Sequence, residues 1–159
     1  ATTEIYTLSL HDALPIYEFA GSIYSEKLNK KDFSDPNTIL YGHDMLNGTM
    51  FRTLHNFRDP TFFENNPYIY IYLPERTLTY EIFSAYVYDD RHILYSFDFS
   101  DEQVYADYLE YAMNPTEAIL CNRREVDVTT DDKIITLSTC DYTANDYRLI
   151  VQAVLTPIE

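Results

Sequence analysis

Alternation of apolar and polar side chains is the main pattern of this chain, and it predicts β-strands. Residues 68–73 read YIYIYL, which places tyrosines on one face of a strand and isoleucine or leucine on the other. Further strands are predicted by short runs of apolar and β-branched residues at 21–24, 38–41, 78–88, 93–99, 133–139 and 147–155. The polar stretch 117–132 is predicted to be irregular.

One segment follows the helical period instead. Residues 100–103 read SDEQ, a capping box whose acids suit the positive end of a helix. Apolar side chains then recur at helical spacing until Pro115, so we predict a helix over residues 101–114, inserted before the strand that ends in Cys140. Many short strands with one inserted helix predict a mostly β fold, a closed β-barrel of about eight strands.

Composition narrows the functional classes. The 159 residues suit one domain with a sizeable core. The net charge of −15 disfavours contact with nucleic acid or with an anionic membrane surface. Two cysteines are too few for a disulfide scaffold, and no Cys/His cluster has the spacing of metal ligands. No apolar run is long enough for a transmembrane helix.

The first residues do not belong to the pattern of the rest. Residues 7–16 read TLSLHDALPI, which is identical to one translated frame of a common sequencing adapter. We therefore interpret residues 1–16 as a non-native scar and assign the catalytic domain to residues 17–159.

Candidate chemistry is concentrated in two segments. In YGHDMLNGTMF, at residues 41–51, two of the three glycines of the chain bracket His43 just after a strand. Glycines used this sparingly mark backbone that needs positive φ or a close approach. In IITLSTC, at residues 134–140, an apolar strand ends in Cys140, and Arg148 follows eight residues later. If the two flanking strands pair antiparallel, Cys140 and Arg148 reach the same end of the sheet, where a thiol and a guanidinium supply a nucleophile and an oxyanion donor.

Taken singly, His43, Cys140 and Arg148 each also have an ordinary structural interpretation.

Other residues with possible chemical roles lie outside the two segments. His55 and His92 are interpreted as solvated surface histidines, and Cys121 as a thiol without a catalytic role. Asp131 and Asp132 fit the spacing of no Ca²⁺ loop, so no metal site is predicted.

Together, the segments YGHDMLNGTMF, DKIITLSTC and YRLIVQAVL resemble the characteristic segments of sortases, most closely those of class B. The similarity extends over residues 17–155, and class B members resemble this chain in carrying a helix before the cysteine strand. By this resemblance, Cys140 matches the nucleophile, His43 the general acid/base, and Arg148 the arginine that stabilises the substrate carbonyl and the tetrahedral intermediate. Asp44 stands where an asparagine is more familiar in the family. The resemblance also implies four substrate-binding residues beside the nucleophile: Leu137, Ser138, Thr139 and Asp141.

The resemblance implies a cysteine transpeptidase that cleaves a C-terminal sorting signal through a thioester and transfers the protein to a cell-wall precursor amine. The implied partners are the sorting-signal peptide of a secreted surface protein and a lipid II-type peptidoglycan precursor. The implied location is the extracellular face of the cell membrane, through an anchor that this chain lacks. No cofactor, metal or nucleic acid is expected. Three alternatives stay open: a pilin-polymerising sortase that uses a lysine acceptor, a cysteine peptidase in which water resolves the thioester, and an inactive truncated fragment.

Overall fold

A computed structural model describes residues 23–44, 51–116, 119–141 and 146–157. The interpretation of residues 1–16 and the first half of the strand predicted at 21–24 lie outside the described residues. The described strands are β1 (Tyr24–Ser25), β2 (Asn37–Tyr41), β3 (Tyr68–Leu73), β4 (Arg76–Asp89), β5 (Ile119–Arg123), β6 (Ile134–Cys140) and β7 (Tyr147–Leu155). The helices are the 3₁₀ helix η1 (Phe51–Arg58), α1 (Pro60–Asn65), α2 (Ile93–Ser96) and α3 (Glu102–Met113).

The seven described strands form one sheet in the order β1-β2-β6-β7-β4-β3, and β5 also pairs with β4. The β2–β6 pair is parallel and the other pairs are antiparallel. β4 is long enough to pair with β3 through residues 76–81 and with β5 through residues 84–87. The mostly β fold with its inserted helix is confirmed. Within the described ranges, however, hydrogen bonds do not close the sheet, since β1 and β3 remain at its two ends.

The predicted helix is present as α3. The side chain of Asp101 caps it by accepting hydrogen bonds from the backbone N–H groups of Gln103 and Val104. Its apolar side packs on the sheet through Tyr105, Tyr108, Leu109 and Ala112.

Two local predictions were wrong. Residues 93–99 contain the short helix α2, whose last turn closes when the N–H of Phe97 donates to the carbonyl of Ile93. Residues 119–123 are not irregular but form β5, because residues 84–87 of β4 supply backbone partners that no local sequence pattern predicts. The helices η1 and α1 were not predicted.

Apolar residues form a core on each face of the sheet. Ile135 and Leu137 of β6 pack with Phe51, Leu54 and Phe57 of η1 on one face. Their neighbour Ile134 packs on the other face against α3, since successive side chains of a strand point to opposite faces. No helix in the described part of the chain is both long enough and apolar enough to span a membrane.

Candidate active site

One edge of the sheet brings the three candidate residues together. β2 and β6 run parallel with Tyr41 opposite Ser138, so the loop after β2 and the end of β6 lie at the same edge. β7 returns antiparallel to β6 and places Arg148 directly opposite Cys140. The two strands that flank the Cys–Arg loop therefore pair antiparallel, which is the condition under which Cys140 and Arg148 were expected to meet. The topology brings a histidine from the loop after β2, a thiol from β6 and a guanidinium from β7 to one place.

At this edge Nη1 of Arg148 lies 3.2 Å from Sγ of Cys140. The thiol is exposed and the guanidinium is half-buried at its side. His43 is also exposed, and all three residues line a groove of about 500 Å³. Aromatic side chains supply much of the remaining wall: Tyr24, Tyr41, Tyr88 and His92.

Of the four predicted substrate-binding residues, two line the groove. These are Ser138 and Thr139, and the hydroxyl of Thr139 donates a 2.8 Å hydrogen bond to the carbonyl of Gly42. Leu137 is instead buried in the core beneath η1. Asp141 is also turned away from the groove, and its carboxylate accepts a 2.8 Å hydrogen bond from Arg58. The role of these residues in substrate binding stays a prediction.

Gly42, which precedes the histidine, has the close contact that its sparing use predicts. A Cβ at this position would lie 2.6 Å from ring atoms of Phe51, so a larger residue would push the start of η1 away. Phe51 also donates its backbone N–H to the carbonyl of His43 at 2.9 Å, and Gly42 donates to the carbonyl of Ser138 at 3.2 Å. The histidine loop is thereby fixed to η1 on one side and to β6 on the other. The second bracketing glycine, Gly48, lies outside the described residues.

The prediction that His55 is a solvated surface histidine was wrong. Its side chain is 8% exposed, and Nε2 lies 3.3 Å from Oδ2 of Asp44. Burial lowers the pKa of His55, and Asp44 opposes that shift. The sequence did carry a signal: Phe51, Leu54 and Phe57 repeat every three residues, as in a 3₁₀ helix, and His55 belongs to the complementary polar repeat.

The remaining candidates lie around the site without joining the Cys–Arg pair. His92 is half-exposed in the groove wall, with Nδ1 3.2 Å from Oε2 of Glu26. Cys121 is a half-buried free thiol outside the groove lining, and burial raises its pKa. Cys140 is also a free thiol, so the nucleophile candidate is available for reaction.

Comparison with known proteins gives a consistent result. A Sortase domain family model matches residues 18–156. Sortase B of Listeria monocytogenes is 33% identical over 139 residues, which cover 86% of this chain and 54% of that protein. The chain thus spans about half the length of this curated relative.

Solved structures agree in fold. Clostridium perfringens sortase B superposes with a TM-score of 0.77 at 31% identity, over 88% of this chain and 75% of that one. Sortase B from the type II pilus of Streptococcus pneumoniae superposes with a TM-score of 0.71 at 32% identity, over 90% of this chain and 82% of that one. The similarity of fold therefore extends over about nine-tenths of this chain.

Proposed function

This chain belongs to the sortase family, and from that premise we propose that its groove is the active site of a cysteine transpeptidase. The predicted resemblance to class B is confirmed by the sortase B relatives. The proposed reaction cleaves the C-terminal sorting signal of a secreted surface protein and joins that protein to an amine of a cell-wall precursor. The catalytic domain is assigned to residues 17–159, with its substrates met at the extracellular face of the membrane.

The observation that carries this proposal is the contact between Arg148 and Cys140. Nη1 of Arg148 donates to the sulfur at 3.2 Å, so the guanidinium lies directly beside the atom that acts as the nucleophile. The same group has further N–H donors in a planar fork, so it can also bind an oxyanion that forms beside the sulfur. An exposed thiol with these two properties suits acyl transfer better than it suits a structural role.

In the first proposed step, the thiolate of Cys140 attacks the scissile carbonyl carbon and Arg148 donates hydrogen bonds to the resulting oxyanion. The C–N bond then breaks, His43 gives its proton to the leaving amine, and a thioester remains on Cys140. In the second step, an acceptor amine attacks the thioester carbonyl and the C–S bond breaks. His43 takes the proton of the attacking amine, so that the new amide is released and the thiolate of Cys140 and the protonated His43 are regenerated.

Substrate contacts follow from the groove. Ser138 and Thr139 line it beside the nucleophile and are proposed to contact the sorting peptide. Leu137 and Asp141 are proposed to support that wall from behind, since both are buried on its far side. No residue of the proposed mechanism requires a cofactor or a metal.

The test is intact mass spectrometry after incubation with sorting-signal peptides of the NPQTN and LPxTG types. We expect a mass increase equal to the N-terminal peptide fragment, and none in Cys140→Ala, because the thioester needs the sulfur. Circular dichroism of both proteins controls for folding. A fully active Cys140→Ala variant, or a folded wild type that forms no adduct with any peptide, would contradict the proposal.

A second candidate function is pilin polymerisation, in which the acceptor amine is a lysine side chain. The similarity to a sortase B from a pneumococcal pilus favours including it. The acyl-enzyme is common to both reactions, so only the second step distinguishes them. The test is a competition in which the preformed thioester receives an equimolar mixture of a glycine-type and a lysine-bearing acceptor peptide. The mass of the product shows which amine has been joined.

A further inference from the structure

Three basic residues lie in a row on η1, directly behind the catalytic edge. They are Arg52, His55 and Arg58, and we call them the basic row. A 3₁₀ helix has about three residues per turn, so side chains at this spacing lie one above the other on a single face. The intervening residues Leu54 and Phe57 point into the core and fix the orientation of that face.

The basic row contacts two acids, and each acid is the immediate neighbour of a proposed catalytic residue. Asp44 follows His43, and Nη1 of Arg52 donates to both of its carboxylate oxygens at 2.9 Å. Asp141 follows Cys140, and Nη2 of Arg58 donates to its Oδ2 at 2.8 Å. The two carboxylates are only 8% and 1% exposed, so both interactions are formed largely out of water.

His55 lies between the two arginines and contacts both catalytic segments. Its Nε2 is 3.3 Å from Asp44, and its ring also reaches the backbone of Cys140. The middle of the basic row therefore joins the segment that carries the histidine to the segment that carries the thiol.

η1 is itself tied to the sheet at both ends. At its start, Phe51 donates to the carbonyl of His43 and packs its ring against Gly42. At its end, the side-chain amide of Asn122 in β5 donates to the carbonyls of Phe57 and Arg58 at 2.8 and 3.0 Å. A helix held at both ends is a rigid body against which two other segments can be positioned.

We propose that the basic row is a positioning device that sets the placement of His43 relative to Cys140 through the two acids that follow them. This inference rests on the proposed transpeptidase function, because it assigns those two residues to one reaction. Side chains alternate along an extended backbone, so an acid held on the back face fixes the Cα of the preceding residue, whose side chain faces the groove. Loss of that constraint costs rate because misplacement by about 1 Å is worth about 100-fold in a positioned reaction.

The device is predicted to act on turnover rather than on peptide affinity. Neither acid and no member of the basic row is among the groove-lining residues, so none of them is positioned to touch the peptide. Removing one of them should therefore lower kcat and leave KM nearly unchanged.

The central variant is Arg58→Gln, which removes the charge that Asp141 faces. Its matched control is Arg124→Gln, because Arg124 is also a mostly buried arginine that donates to backbone carbonyls, those of Ile82 and Phe63, away from the groove. Both variants should lower the melting temperature. We expect Arg58→Gln to lower kcat by about 10- to 100-fold with KM within about threefold, whereas Arg124→Gln keeps kcat within about twofold.

A rescue variant separates positioning from stability. Combining Asp141→Asn with Arg58→Gln removes the buried carboxylate charge that Arg58 no longer offsets and lets two amides hydrogen-bond, so part of the lost kcat should return. Equal loss of kcat in Arg58→Gln and Arg124→Gln at equal loss of melting temperature would overturn the inference, since the effect would then follow stability alone.

A peptide-independent measurement keeps this test separate from that of the proposed function. The pH profile of Cys140 alkylation by iodoacetamide reports on the surroundings of the thiol even if no peptide is accepted. Arg58→Lys keeps the charge but loses the planar fork, so a changed profile in this variant indicates displaced groups around the thiol. An alkylation profile identical to that of the wild type would overturn the positioning role, whatever the peptides show.

Discussion

The two faces of the central sheet bury polar side chains of different kinds. Beneath α3 the buried polar groups are uncharged and belong to Asn37, Tyr86, Tyr108, Thr136 and Gln152. Beneath η1 they are charged or titratable and belong to the two acids and the basic row. The first cluster lies under the middle of a helix, whereas the second lies directly behind the catalytic edge.

The uncharged cluster is centred on Gln152. Its amide donates to the hydroxyls of Tyr108 and Thr136 at 2.8 and 2.9 Å, and its carbonyl accepts from Tyr86 at 2.8 Å. Burial raises the pKa of Tyr108 to about 12, so the cluster stays uncharged at neutral pH. A satisfied network of this kind fixes how α3 packs on the sheet.

The difference shows what each kind of buried group contributes. An uncharged network is the cheaper way to specify packing, because desolvating hydroxyls and amides costs less than desolvating ions. Paired charges are costlier to bury and contribute little net stability, so their place beside the catalytic residues points to geometry rather than stability. The uncharged cluster should therefore govern folding, and the charged cluster should govern turnover.

The largest effect that tests this comparison is expected from the variant Gln152→Leu. It removes the acceptor of the Tyr86 hydroxyl and leaves the Tyr108 hydroxyl with the longer 3.5 Å hydrogen bond from Asn37, which should lower the free energy of unfolding by about 2–4 kcal/mol. Turnover of the folded enzyme should stay within about twofold of the wild type, because the reacting edge is untouched. Urea unfolding and steady-state peptide cleavage measure the two effects. A large fall in kcat with unchanged stability would reverse the roles assigned to the two faces.

A smaller effect is expected from Tyr86→Phe, which removes one hydroxyl from the same cluster. Gln152 then loses a single donor and keeps its contacts with Tyr108 and Thr136, so the cost should be about 1 kcal/mol. Unfolding in urea compares this variant with Gln152→Leu. A cost as large as that of the glutamine variant would mean that the cluster depends on Tyr86 rather than on its centre.

The sequence was sufficient to predict the candidate catalytic residues of the groove, but not the charged contacts that lie behind them. The groove residues lie in segments with strong local patterns: an apolar strand ends in Cys140, and glycine marks the loop of His43. The structure brings those residues together through strand order, which the family resemblance already implied. By contrast, the contact of Asp141 with Arg58 joins positions 83 residues apart, and Arg58 lies in a helix whose first turn has no acidic residue. Such long-range charge pairing has no local pattern from which it can be predicted.

The final test concerns the one group of the charged cluster that titrates near neutrality. Burial lowers the pKa of His55 below its ordinary value of 6.5, while Asp44 raises it less and Arg58 and Arg52 lower it further. Below pH 6.5 the unfolded chain therefore binds a proton more readily than the native state does, and the free energy of unfolding falls as the pH falls. His55→Gln lacks this contribution, so its stability relative to the wild type should improve with acidification and stay constant above that pH. Urea unfolding between about pH 5 and about pH 8 measures this difference, with Tyr86→Phe as a control whose changed group does not titrate there. A difference of the opposite sign would mean that Asp44 keeps His55 protonated, and that the basic row carries three positive charges behind the nucleophile instead of two.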